Sequence, residues 1–118
     1  MKKYVISAGL SLVLLMMMQC ATQKNTAYQF PAEMSPTAKT EFTKQCDKGK
    51  MLYQVNCAGC HTTKVKGKEI IPDFSAEQLE AYELREKNAQ HEKSIPETKV
   101  SAEDLGLIMT FLSYKKKN

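Results

Sequence analysis

Chemistry is concentrated in one run of the sequence, Cys57-Ala58-Gly59-Cys60-His61. Two thiols three positions apart lie on one helical turn, where each can add to a vinyl group of a haem and pin the macrocycle. The imidazole of the next residue is then brought under the iron. The run therefore reads as a site of covalent haem attachment, with Cys57 and Cys60 giving thioethers and His61 ligating the metal. Three rival chemistries use similar residues. A zinc site needs four ligands, and Cys46 and His91 could complete one, but their spacing suits no common zinc module. A redox-active C-x-x-C calls for a βαβ setting that the sequence lacks, and a plain disulfide leaves His61 without a role.

The elements that position this run are helical. Ser35 and Pro36 can begin a helix whose apolar positions, Phe42, Cys46, Gly49, Leu52 and Tyr53, recur at spacings of three and four and lead into the cysteines. Ser75-Ala76-Glu77-Gln78 forms a capping-box start to a charged amphipathic helix running through Leu79, Tyr82 and Leu84 to Arg85. A third start at Ser101 opens a helix with Leu105, Ile108, Met109 and Leu112 on one face and Leu107 and Phe111 beside it. Glu103 and Asp104 in its first turn and Lys115, Lys116 and Lys117 after its last both complement the helix dipole. The expected fold is all-α, about three helices and irregular loops around one haem. At helical spacing from Phe42, Cys46 reads as a buried small hydrophobe.

From about Thr40 to Lys117 the chain resembles a class I c-type cytochrome. In that family a glycine of the first helix lets an aromatic of the last approach closely, and Gly49, Tyr53, Ile108 and Phe111 match that arrangement. Pro72 matches, by spacing, the proline whose carbonyl accepts the second ring N–H of the proximal histidine and so fixes its tautomer. The resemblance also implies a sixth iron ligand. Family members usually supply a methionine from the loop before the final helix, and Lys87 to Val100 contains none. His91 is the candidate there, with Met109 as the alternative, Met51 and Met34 further behind, and an open or water-bound position as the remaining possibility. Bis-histidine ligation implies a lower potential than histidine–methionine ligation.

The N-terminal residues bear on location. Met1, Lys2 and Lys3 followed by an apolar run from Val5 to Met18 read as an export signal over residues 1–19, too short for a comfortable membrane span. Cys20 at the end of that run resembles the lipobox cysteine of bacterial lipoproteins, although Met17 and Gln19 depart from the Leu and small residue of that pattern. On this reading Cys20 carries a lipid that anchors the chain, with plain cleavage or an uncleaved anchor as the alternatives, residues 20–37 are a flexible tether, and residues 38–118 form the haem domain.

The whole chain has a net charge of +4, which falls to +2 without Lys2 and Lys3. That balance gives weak support to electrostatic steering by Lys64, Lys66 and Lys68. No glycine-rich phosphate loop and no basic patch with interleaved aromatics is present, which argues against nucleotide and nucleic-acid binding. The expected function is electron carriage between protein donor and acceptor outside the inner membrane, periplasmic or anchored facing the periplasm or cell exterior. The alternatives are a haem-based ligand sensor or peroxidase-like enzyme with an open iron position, and a haem subunit of a larger oxidoreductase.

Overall fold

The computed structural model describes residues 27–81 and 88–118. The export segment and Cys20 lie outside the described residues, as does the expected helix beyond Ala81, Tyr82 and Leu84 included.

The first helix, α1 (Pro36–Asn56), starts where expected: the Ser35 hydroxyl accepts a hydrogen bond from the Ala38 N–H at 3.2 Å, and Pro36 occupies the first turn. It ends at the Cys57–His61 motif, where the Cys57 N–H donates to the Tyr53 carbonyl. A single-turn helix α2 (Ala58–His61) follows. The last helix, α5 (Ala102–Tyr114), opens on Ser101, whose hydroxyl caps the Asp104 N–H. Helices α1 and α5 pack against each other around Cys46, Tyr53, Leu105, Ile108 and Phe111, all buried. Their closest approach is at Gly49. A β-carbon placed there stands 2.0 Å from the Leu107 carbonyl oxygen and 3.0 Å from the Phe111 Cβ, so only glycine fits the crossing.

The connection between α2 and the Ser75 cap is not the expected irregular loop. Strands β1 (Thr63–Val65) and β2 (Lys68–Ile70) form an antiparallel hairpin. Lys66 and Gly67 at its tip have φ of 49° and 79°, the two positive values that a two-residue hairpin turn of the right twist demands. A run of three lysines hid this turn. Helix α3 (Ala76–Glu80) has the complete capping box, Ser75 and Gln78 each accepting from the other's backbone N–H. The fifth described helix, α4 (Ala89–Ser94), was expected as loop. The fold is thus a small helical domain with five described helices and one hairpin.

Tyr28 to Phe30, within the range expected as a tether, pack on the domain. Tyr28 is 8% exposed, pairs with Lys115 in an antiparallel bridge, and donates its hydroxyl to Asp47 at 2.6 Å. Gln29 donates its N–H to the Tyr114 carbonyl, and Phe30 packs on the Tyr114 ring at 5.0 Å. Tyr28-Gln29-Phe30 alternates apolar and polar, but over too few residues to register as a strand. Lys115, expected to close the last helix, is its C-cap; it is also buried and paired with Asp73, whose carboxyl that pairing and the Asn118 N–H hold below the usual carboxylate range.

Candidate functional site

All five described helices bring residues around one cavity, the sequence-predicted ones among them. It has a volume of about 410 Å³, within the size range of cofactor pockets. Cys57, Cys60 and His61 form one wall, presented by the C-terminal end of α1 and by α2. Leu105, Ile108, Met109 and Leu112 of α5 form a second, and Phe74, Leu79 and Ile95 add further apolar surface. Cys60 is exposed and Cys57 half-buried, and neither is in a disulfide among the described residues, which places the pair at the edge of an apolar chamber.

His61 is held from two sides. The residue after it, Thr62, shares a hydrogen bond of 3.1 Å with the hydroxyl of Tyr53, itself 1% exposed and packed on Phe111 at 5.8 Å. The Phe74 ring meets the His61 imidazole edge-on at 5.9 Å. The orientation of the imidazole is thereby tied to the α1–α5 core. No local pattern in the sequence marks Phe74 for this contact. Pro72 is half-buried outside the cavity lining, and its carbonyl is not among the hydrogen-bond acceptors of the described residues.

His91 stands across the cavity. Its backbone N–H and that of Gln90 both donate to the Asn88 side chain, which caps α4 and sets the first turn from which the imidazole projects. The ring centroids of His61 and His91 are 5.8 Å apart, tilted by 55°. Two imidazoles ligating one metal from opposite sides, each with a metal–nitrogen bond of about 2 Å, place their centroids roughly 6 Å apart. The donors and the apolar walls together therefore fit a haem. Met109 lines the same cavity while packing against the buried core. The signal that could have found α4 is Asn88 before a run of helix formers, with Pro96 beyond it.

Cys46 is not part of the site. Its sulfur is fully buried between α1 and α5, 3.8 Å from the Thr110 carbonyl oxygen, so it cannot complete a zinc site with the other two cysteines. Among the described residues no group of three or more His, Cys, Asp or Glu side chains is placed to hold a metal ion by itself. Burial, and then the neighbouring Asp47 carboxylate, push the Cys46 thiol from 9.0 up to about 11. A group whose folded value is raised contributes stability fully below its unfolded value, and that contribution is lost as pH climbs through about 11. We expect iodoacetamide at neutral pH to leave Cys46 unmodified in the folded haem-loaded protein and to alkylate it fully in denaturant. Equal labelling in both, read by mass spectrometry, would contradict the burial.

The lysines after the motif do not form one patch. Lys64 lies directly across from Glu69 in the hairpin, which offsets its charge, and Lys68 shares the opposite face with Val65. Among the described residues no helix is long and apolar enough to cross a membrane.

A family model described as Cytochrome c matches residues 46–114, from the middle of α1 to the end of α5. Neither the curated proteins nor the solved structures give a match.

Proposed function

The chain belongs to the cytochrome c family, and from that premise we propose that it is a single-haem electron carrier with two histidine ligands, working outside the inner membrane. Cytochromes of this family bind haem c covalently, and Cys57 and Cys60 are the cysteines placed for it. The observation that carries the finer reading is the 5.8 Å approach of His61 and His91 in one apolar chamber. When bound, the haem supplies reversible one-electron exchange. The chain's own residues do the rest. Cys57 and Cys60 would hold the macrocycle, Tyr53 and Phe74 keep His61 in one orientation, and His91 would serve as a second iron ligand that excludes gases and peroxide. The apolar walls from α5 exclude water, which limits rearrangement when the charge on the site changes.

Export and anchoring through Cys20 belong to the same proposal. The apolar run of residues 5–18 and the cysteine that ends it support them. The redox partners are proteins met at that surface.

The test is a spectroelectrochemical titration of the haem-loaded full chain, followed by carbon monoxide. We expect a reversible one-electron transition and no carbon monoxide adduct in the reduced form. Stoichiometric adduct formation, or turnover of peroxide, would favour the sensor or peroxidase-like alternative instead.

A further inference from the structure

The strap Tyr28–Phe30 has no part in haem binding, yet it is the best-anchored segment outside the helices. Tyr28 is tied to Asp47 of α1, bridged to Lys115 and set edge-on to Phe111, while Phe30 and Phe42 both pack on Tyr114. It therefore clamps the corner where the first half of α1 meets the end of α5. The motif cysteine Cys57 lies ten residues beyond Asp47 along α1, about 15 Å at the helical rise.

Contour length gives the strap a consequence. Tyr28 follows Cys20 by eight residues, a reach of at most roughly 28 Å; were the chain free up to Pro36, sixteen residues would span roughly 56 Å. Because Tyr28 pairs antiparallel with Lys115, the chain arrives at the strap from the side of Lys116. Lys116 and Lys117 are exposed there and carry the charge that anionic headgroups attract.

We propose that the strap and the C-terminal lysines form the face of the domain that lies on an anionic lipid bilayer, so that the haem end of α1 points away from the membrane. The inference rests on lipid attachment at Cys20, and it deepens that reading by naming the surface the lipid presents to the membrane. A partner then meets the haem from the side away from the bilayer, within the short reach of the tether.

The experiment uses the full, haem-loaded chain recovered with its lipid and placed in vesicles of phosphatidylcholine and phosphatidylglycerol. A benzophenone is attached to a single new cysteine, made by Lys117→Cys or by Val55→Cys. Val55 is 79% exposed near the haem end of α1. Cys46 is buried and the motif cysteines are consumed by haem, so the new thiol is the one labelled. We expect several-fold more lipid adduct from position 117 than from position 55. Adding Tyr28→Ala and Phe30→Ala should bring the two positions to equal yield. In case that pair unfolds the domain, inserting eight Gly/Ser residues between Thr26 and Ala27 should likewise narrow the difference, with every contact of the fold kept. Equal adduct from both positions in the parent, with the protein still sedimenting with vesicles, overturns the orientation alone. Protein that stays in the supernatant overturns the lipid reading, and the orientation with it.

Discussion

His91→Ala is expected to turn a low-spin, six-coordinate ferric protein into a high-spin one, and to take carbon monoxide binding in the reduced state from none to one equivalent per haem. The expectation follows from the geometry of two imidazoles 5.8 Å apart across the cavity. With one removed, His61 would be the remaining histidine ligand and a space about the size of an imidazole would face it. The reduction potential should rise, because a nitrogen donor that favours the ferric state has gone. The fold should hardly respond, since His91 projects from a six-residue helix with no buried residue. Met109→Leu is the companion measurement. It exchanges a core residue for one of similar volume and should leave both the spin state and the potential where they were. Near-infrared magnetic circular dichroism and electron paramagnetic resonance report both variants. A sulfur-to-iron signature that survives His91→Ala and disappears with Met109→Leu would assign the sixth position to the thioether.

The second large effect concerns stability. Gly49→Ala places a methyl group 2.0 Å from the Leu107 carbonyl oxygen and 2.6 Å from its carbon. Both belong to backbone and cannot rotate away, so the helices must move apart. Overpacking of this kind costs about 3 kcal/mol at the upper end of its usual range, while alanine returns about 1 kcal/mol of helix propensity. Sterics therefore win by about 2 kcal/mol, which in a domain of this size lowers the Tm of the haem-loaded protein by roughly 8–16 °C. Gly106→Ala is the internal control. A β-carbon there meets nothing within 4 Å, and the position is an exposed one inside α5. That substitution should raise stability by up to about 1 kcal/mol through propensity alone. Opposite signs for the same chemical change would show that contact across the helix crossing, and not glycine content, sets the outcome.

The parts of the molecule readable from sequence share a physical property: their signals are local and repeated. Helix α5 announced itself by a cap, a first-turn pair of acids and four apolar residues at helical spacing, and the structure reproduces each. The attachment motif is contiguous, so no tertiary knowledge was needed to read it. The hairpin was missed because its turn signal, Lys66-Gly67, sat among lysines that read as solvated loop. The strap was missed because its alternation covers three residues and its partners, Asp47 and Lys115, are far away in sequence. The packing of Phe74 on His61 and the bond between Tyr53 and Thr62 could not be read at all. Each depends on two elements meeting at an angle that nothing local specifies.

The crossing at Gly49 and the bridge at Lys115 also say when this protein can assemble. Leu107 must arrive before Gly49 has a partner, and Lys115 before Tyr28 does. The contacts between α1 and α5 are therefore long-range and close a large loop, the kind of step that comes late because its entropy must be spent before it is repaid. Cys57, Cys60 and His61 lie between the two helices in sequence and wait for neither. On this order the motif would be open to a haem before α5 docks, and the apolar face of that helix would be the last wall of the cavity to close.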